Sequence, residues 1–303
     1  MIQDKAGDQA RAADRKRPAA RWVAFRSELA KAAGAILRNP LTVAGLIVIA
    51  LLLLVAAFAP LIATHDPSAQ NLGAALQPPS AAHRFGTDEF GRDVFSRIVY
   101  GSRITLYIIS LITIIVGPVG MLMGAVSGYL GGVADVILMR ITDIFISFPS
   151  LVLALAFVAA LGPGLDHAII AIALTSWPSI ARLARAETLS LRKADFIVEV
   201  ELQGAPRSRV IFRHIVPLCL PSVVVRLTMN MAGIILTAAG LGFLGLGALP
   251  PSPEWGVMIS SGRRYMLESW WLVAMPGAAI LLVSLAFNLF GDGLRDALDP
   301  RLE

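Results

Sequence analysis

The sequence predicts an all-α polytopic membrane protein with six transmembrane helices. Of its 303 residues, 56% are hydrophobic and only 16% are charged, whereas about 25% of the residues in an average soluble protein are charged. The sequence also contains six long or medium apolar segments without Asp, Glu, Lys or Arg. A helix needs roughly 20 apolar residues to cross the hydrocarbon core, and in lipid each segment must satisfy its own backbone.

The six apolar segments are, in chain order, residues 41–64, 104–130, 144–165, 168–181, 227–253 and 269–291. The third is expected to begin earlier, near Val136, and the fourth must extend to Arg185 or beyond to cross. None alternates between apolar and polar residues, which argues against a β-barrel. The first segment is too long for the apolar part of a signal peptide, and Pro60 stands where the mature chain would begin, so we expect a retained helix.

Basic residues set the predicted orientation. The segment before the first span carries nine Lys and Arg residues, and the loop between the fourth and fifth spans is also basic, so both should be cytoplasmic. With six spans, both termini lie inside. The predicted divisions are a cytoplasmic basic tail at 1–38, an N-terminal transmembrane helix at 39–64, a periplasmic loop at 65–102, a core of five further helices at 103–293 containing a cytoplasmic loop at 187–214, and a cytoplasmic tail at 294–303.

Composition and motifs exclude several classes of function. The net charge of +5 and the pI of about 9.8 fit contact with anionic membrane lipid in so apolar a chain, and no nucleic-acid partner is expected. The sequence lacks GxxxxGK[ST], HExxH and GxSxG motifs, so no catalytic residue and no nucleotide site are predicted. The single cysteine, Cys219, allows no internal disulfide, and no metal site is predicted.

The 187–214 loop has the pattern of a helix, a tight turn and a second helix. Apolar residues recur through a charged stretch, and Gly204, Ala205 and Pro206 interrupt it. Such a protruding amphipathic helix suits the groove of a protein partner. The alternative is an interfacial loop that lies on lipid.

Charged residues inside spans are candidates for function. Arg226, Asn230 and Thr237 follow one another at helical spacing in the fifth span, and this stripe could line a path for a polar solute. Alternatively, Arg226 extends to the membrane surface or pairs with an acid on a partner subunit. Arg140 and Asp143, three residues apart, are expected to neutralise each other.

Two loops are predicted to face the opposite side of the membrane. In the first, residues 83–103, acidic and basic residues balance, and Asp93 and Arg97 are helix neighbours, which favours a self-paired structural loop over a docking surface. The second, residues 248–268, is the better docking candidate. Its prolines stiffen an exposed segment and Trp255 could sit at the membrane interface. The candidate docking residues are Pro251, Pro253, Glu254 and Trp255.

Three stretches give the sequence a family resemblance. They read HRFGTD followed by GRD at 83–93, LGFLGLG followed by PPSPEWG at 241–256, and FNLFGDGLRDALDP at 287–300. They resemble the C-type transmembrane subunit of ABC importer permeases of the dipeptide/oligopeptide/nickel subfamily, over roughly residues 35–303. In the family's coupling loop, Gly204 and the Ile215 to Pro217 element match, but Val198 stands where the family has Glu, and the acidic residue falls at Glu199.

The resemblance implies a type I ABC importer permease fold in a bacterial cytoplasmic (inner) membrane. It implies a second homologous permease subunit, two ABC ATPase subunits that would hold ATP and Mg, and a periplasmic or lipid-anchored substrate-binding protein. No cofactor is expected in this chain, which would be a transport subunit and not an enzyme. The resemblance assigns ATPase coupling to Asp195, Glu199, Gly204, Ala205 and Pro206. A self-sufficient ion-coupled secondary carrier is the alternative, and a membrane scaffold is a third hypothesis.

Overall fold

The computed structural model describes residue 34 and residues 36–298. The predicted tail at 1–38 therefore lies almost entirely outside the described residues, as do residues 299–303 of the predicted C-terminal tail. The α-helices are α1 (Pro40–Ala57), α2 (Ala59–Ile62), α3 (Val94–Leu130), α4 (Gly132–Ile146), α5 (Ser150–Leu161), α6 (Leu165–Leu191), α7 (Asp195–Leu202), α8 (Arg207–Val210), α9 (Val216–Phe243), α10 (Trp255–Gly262) and α11 (Trp271–Leu298).

Between these helices the chain makes only short regular elements. Single 3₁₀ turns occur at Leu72–Ala74 and Arg263–Tyr265, and a π-helical turn at Ile211–Ile215 joins α8 to α9. In the part of the chain that the structure describes there is no β-strand, and only an isolated antiparallel bridge joins Thr87 to Asp93. The fold is therefore all-α, as predicted.

Among residues 36–298, five helices are long and apolar enough to cross a membrane, namely Pro40–Ala57, Val94–Leu130, Leu165–Leu191, the continuous Arg207–Phe243 and Trp271–Leu298. A sixth candidate is the pair α4 and α5, which together pass the same test. In the most apolar 18-residue stretch of Leu165–Leu191, 56% of the residues are buried inside the protein, against only 22% in Pro40–Ala57. Hence α6 is the central helix and α1 lies at the periphery.

The prediction that the third span is a single continuous helix is wrong. The helices α4 and α5 meet at 92° across a short break. The break contains Phe148 and Pro149. Proline has no backbone N–H to donate and disfavours the helical conformation of the residue before it, so the helix stops and restarts in a new direction.

Three other helix ends differ from the apolar windows. The second span begins at Val94, ten residues before the window, because the Asp93 side chain accepts a hydrogen bond from the Ser96 backbone and caps the helix. The fifth span ends at Phe243 and not near residue 253. Gly245, two residues after this end, has a φ of +77°, a backbone conformation typical of residues that follow a helix. The last continues to Leu298, through residues that were assigned to the tail.

Helices α3 and α6 form the closest pair in the bundle. Gly120, Gly124 and Gly128 of α3 lie one turn apart, and a Cβ at any of them would collide with α6. At Gly124 the obstacles are the carbonyl oxygen of Ala181 and the Cβ of Ala184. The absence of side chains at these glycines lets the two backbones approach directly.

The long helix α3 separates two groups of loops. At its N-terminal end, Arg97 donates to the carbonyl oxygens of Pro67, Pro251 and Ser252 at 3.0, 3.2 and 3.3 Å, which ties the 65–93 loop to the 244–254 loop. At its C-terminal end, Arg192 of the 187–214 loop donates to the Gly128 carbonyl oxygen at 3.1 Å. Arg97 and Gly128 are 31 residues apart in α3, so at a rise of 1.5 Å per residue the two groups of loops attach about 45 Å apart.

Candidate functional site

The 187–214 loop adopts the predicted helix, tight turn and helix. The first helix is α7, with Asp195 in its first turn, where a negative charge complements the helix dipole. It ends at a turn in which Gly204 has a φ of +80°, a backbone conformation that favours glycine. Pro206 then precedes α8.

One face of α7 is anchored in the protein. Ile197 is fully buried and packs in a cluster with Val210, Ile211 and Ile215. The hydroxyl of Tyr129, at the end of α3, donates to Glu201 at 2.7 Å. The position of α7 is therefore fixed relative to α3 and α9.

The remaining surface of α7 is exposed and mixes apolar with acidic residues, among them Asp195 and Glu199. Leu202 is 83% exposed, and Phe196 and Val198 are each 43% exposed. Glu199 is also exposed and accepts a weak hydrogen bond from the Gln203 amide. A fixed helix that exposes apolar and acidic side chains together is suited to bind a partner protein.

Ion pairs join the helices that lead into this loop. Arg185 of α6 donates both Nε and Nη2 to the carboxylate of Asp135 on α4, each at 2.6 Å. The predicted neutralisation of Asp143 by Arg140 is wrong, because Asp143 accepts from Arg182 of α6 at 2.7 Å. The helix spacing permitted the local pair, but the neighbouring helix brings a second guanidinium to the carboxylate.

The predicted polar stripe on α9 is only partly open. Arg226 is exposed, whereas Asn230 donates to the Ser179 hydroxyl of α6 at 3.1 Å and Thr237 donates to the Gly233 carbonyl oxygen at 2.8 Å. The amide of Asn230 thus helps to hold α9 against α6. Arg226 is the charged residue of the three, and its side chain is exposed.

The 65–93 loop is held by its own charges and hydrogen bonds. Arg92 donates to Asp88 at 2.6 Å, and both are buried. Asp93 and Arg97 are helix neighbours as predicted, since the Arg97 backbone donates to the Asp93 carbonyl oxygen at 3.1 Å, but the Asp93 carboxylate turns back to cap α3. Arg97 reaches the carbonyl oxygens of two loops, and its Nε lies 3.7 Å from Asp88. The prediction of a self-paired loop holds, with different partners.

The 244–254 loop offers less docking surface than the sequence predicted. Pro251 is exposed and Pro253 partly so, but Glu254 is only 4% exposed and Trp255 only 2%. Trp255 does not lie at the membrane surface, since its indole donates to the Ile98 carbonyl oxygen at 3.1 Å, next to Gly101. A buried tryptophan usually finds such a partner for its indole N–H.

Glu254 is instead the N-cap of α10. Its carboxylate accepts hydrogen bonds from the backbone of Gly256 and Val257 at 2.9 and 2.8 Å. Burial raises the pKa of Glu254 to about 7, although the two backbone hydrogen bonds act in the opposite direction. Neither Glu254 nor Trp255 is available to a docking partner in this conformation.

The fold also brings together two histidines and a carboxylate that the sequence analysis did not connect. His83 Nδ1 lies 2.9 Å from Asp93 Oδ1 and His65 Nδ1 lies 3.8 Å from the same oxygen. The three residues are 18 and 10 positions apart, so no local motif groups them. The signal available in the sequence was that each lies in the one loop between the first two spans.

Comparison with known proteins was made for both sequence and fold. Residues 118–303 match the family described as "Binding-protein-dependent transport system inner membrane component", and residues 29–79 match the "N-terminal TM domain of oligopeptide transport permease C". The chain is 50% identical over 263 residues to the "Probable D,D-dipeptide transport system permease protein DdpC" of Escherichia coli K12, covering 87% of this chain and 88% of that protein.

Further relatives agree with these matches. The "Dipeptide transport system permease protein DppC" of Alkalihalophilus pseudofirmus is 46% identical over 266 residues, which cover 88% of each chain. A permease chain of the inward-facing MetNI methionine ABC transporter superposes with a TM-score of 0.50 at 20% identity, covering 68% of this chain and 97% of that one, and shows the type I fold. These matches do not favour the ion-coupled carrier. The chain belongs to the family of binding-protein-dependent transport system inner membrane components, as a permease subunit and not an enzyme.

Proposed function

We propose that this permease subunit forms half of the translocation pathway of a peptide importer, the other half being a second homologous permease. Two ATPase subunits that bind ATP and Mg drive transport, and a periplasmic or lipid-anchored substrate-binding protein delivers the cargo. The family match supports the general division of labour between membrane component, ATPase and binding protein. This composition of the complex is part of the proposal.

The observation that carries the proposal is the structure of α7. A helix whose Ile197 side is buried and whose Leu202 side is exposed meets the requirement for a coupling element, because it can bind a partner and pass the partner's movement to the spans. Its contacts through Glu201 to Tyr129, and the contact of Arg192 with Gly128, connect it to the end of α3. We assign the coupling role to residues Asp195, Glu199, Gly204, Ala205 and Pro206 together with this exposed face.

The placement of the loops supports the orientation. The basic 187–214 loop and the loops around Arg97 lie at opposite ends of α3, with their contacts on that helix about 45 Å apart. The positive-inside rule places the 187–214 loop and the basic N-terminal segment in the cytoplasm. Both termini are then cytoplasmic, in a multi-pass protein of the bacterial inner membrane, and the 65–93 and 244–270 loops face the periplasm, where Pro251 and Pro253 remain candidates for contact with the binding protein.

The proposed cargo is a peptide or a similar small solute. The names of two relatives that are 50% and 46% identical refer to transport of D,D-dipeptides and dipeptides. We propose that Arg226, Asn230 and Thr237 mark the side of α9 that faces the pathway. A guanidinium on that side suits the carboxylate or carbonyl oxygens of a peptide.

The ATPase-binding assignment is tested with two leucines at opposite ends of the molecule. Leu202→Ser on α7 should sharply reduce the amount of ATPase subunit that co-purifies with the full-length permease in detergent. Leu267→Ser, which changes a leucine that is 94% exposed in the 263–270 segment, should retain it. Quantitative mass spectrometry of the purified complexes gives the ratio of subunits. Equal ratios of ATPase subunit to permease in the two variants and the wild type would contradict the assignment.

A further inference from the structure

The cluster of His65, His83 and Asp93 has the ligand set of a transition-metal site. One ligand atom from each residue can be chosen so that all three lie within 4.8 Å of one another. Around a tetrahedral ion with bonds of about 2.1 Å, neighbouring ligand atoms stand about 3.4 Å apart. The observed 2.9 and 3.8 Å separations of the imidazole nitrogens from Asp93 Oδ1 lie on either side of this value.

We propose that His65, His83 and Asp93 bind one divalent transition-metal ion, with Zn²⁺ as the best-matched ion. Two imidazole nitrogens and one carboxylate oxygen suit Zn²⁺ and its neighbours in the first transition series, whereas Ca²⁺ and Mg²⁺ prefer sites made entirely of oxygen. The proposed site is independent of the cargo and of the ATPase-binding face.

Hydrogen bonds with neighbouring residues already hold the carboxylate of Asp93 and the backbone of His65 in place. Asp93 is only 2% exposed, and its second oxygen, Oδ2, accepts from the Ser96 backbone at 2.8 Å and from the Thr64 hydroxyl at 3.4 Å. The Ser96 hydroxyl accepts from the backbone of His65 at 3.0 Å. Such contacts orient ligands and leave Asp93 Oδ1 directed at the histidines.

One ligand position remains open to solvent. The His65 side chain is 43% exposed, and with Pro60, Asp66 and Tyr100 it lines an open cleft. The imidazole rings of His65 and His83 lie with centroids 4.7 Å apart at a tilt of 31°, and both Nδ1 atoms lie within 3.8 Å of the same Asp93 oxygen. Three protein ligands with a fourth position facing water form an accessible site and not a closed one.

The site would join three parts of the chain. His65 follows α2, His83 lies in the middle of the 65–93 loop, and Asp93 caps α3. An ion shared among them would fasten this loop to the start of α3. Binding to the folded state alone raises stability in proportion to the logarithm of the ion concentration.

The test uses the full-length chain in detergent, with any subunits that co-purify and with an affinity tag free of histidine. After removal of metal with a chelator, Zn²⁺ is added and excess ion removed by gel filtration, and the bound ion is counted by inductively coupled plasma mass spectrometry. The wild type should retain one Zn²⁺ per chain. His65→Ala and His83→Ala should each weaken binding at least tenfold, as a lost ligand requires.

His167→Ala is the matched control. His167 is also partly buried and bonded through Nδ1, to the Gly162 carbonyl oxygen at 3.0 Å, but it stands apart from the cluster. The His167→Ala variant should retain as much zinc as the wild type. Zinc should also raise the midpoint of thermal unfolding of the wild type and of His167→Ala but not of His65→Ala. The proposal would be overturned if the wild type bound no zinc, or if His65→Ala and His83→Ala both retained as much zinc as the wild type.

Discussion

Single residues at the 65–93 and 244–254 loops combine structural and electrostatic roles. Arg97, only 3% exposed, donates to three carbonyl oxygens from two loops, a task suited to the planar guanidinium because it directs several donors at fixed angles. Asp93 caps α3 while it accepts from His83. Burial raises its pKa, but the backbone and side chain of Ser96, His83 and the nearby His65 together hold the pKa below its usual value.

Glu254 gives the protein a predicted pH dependence of stability. Because the pKa of the folded state, about 7, is above the ordinary value of 4.5, the folded protein binds this proton more tightly than the unfolded chain. The resulting stabilisation is complete below about pH 4.5 and is lost as the pH rises through about 7. Glu254→Gln should remove this contribution, worth up to about 3 kcal/mol at the shift given.

The measurement is the midpoint of thermal unfolding in detergent between pH 5 and pH 8. The midpoint of the wild type should fall more steeply with rising pH than that of Glu254→Gln. Glu268→Gln, an exposed glutamate of the same region, is the control and should follow the wild type. Parallel curves for wild type and Glu254→Gln would show that Glu254 does not titrate in this range.

At the scale of elements, the contact of α3 with α6 depends on the absence of side chains. Gly124→Val should destabilise the protein by about 1–3 kcal/mol or more, because the new Cβ meets the Ala181 carbonyl oxygen and the two helices must separate. Gly277→Val in α11 has open space around its Cβ and serves as the control. Thermal unfolding and the monodisperse fraction after gel filtration are compared. Equal losses in both variants would contradict a special role for this contact.

The elements also show what could be predicted from the sequence. The number of apolar segments and the turn at Gly204 were predictable, because burial in lipid and the conformational freedom of glycine act locally. The bend between α4 and α5 was not, although Pro149 supplied a signal, because an uncharged apolar run continues through it. The burial of Trp255 and the pairing of Asp143 with Arg182 depend on neighbouring helices, which sequence spacing does not show.

The same limit applies to the candidate sites. The 187–214 loop was found because helix, turn and resemblance coincide in one continuous stretch. The cluster of His65, His83 and Asp93 was missed, because its members come from separate points of one loop and meet only when the loop closes on the start of α3.

At the scale of the whole molecule, a single subunit presents a broad exposed surface. On α9, Arg226 and Leu236 are exposed among buried neighbours that hold the helix in the bundle, with Leu236 at 56%. A transmembrane guanidinium on an exposed side requires water, a partner subunit or a solute next to it, since contact with lipid is unfavourable. This requirement supports the proposed second permease and a pathway between the two.

Arg226→Ala should therefore slow uptake of a labelled dipeptide by the reconstituted transporter by about tenfold or more, the effect of losing one charge-assisted hydrogen bond. Arg226→Lys keeps the positive charge and should restore part of the rate. The ATPase content of the complex should stay unchanged, which separates this effect from that of Leu202→Ser. Unaltered uptake and unaltered substrate preference in Arg226→Ala would exclude the role in the pathway.

The length of α3 has a consequence for the position of the loops above the bilayer. The helix measures about 55 Å, and even at a 40° tilt, the upper end of the usual range, its vertical extent is about 42 Å. The hydrocarbon layer is about 30 Å thick. At least about 12 Å of α3 must therefore stand among headgroups or in water, and the stretch that carries Arg97 and Arg103 is the charged part. The loops fastened to that stretch therefore lie at the level of the headgroups or beyond it, outside the hydrocarbon layer.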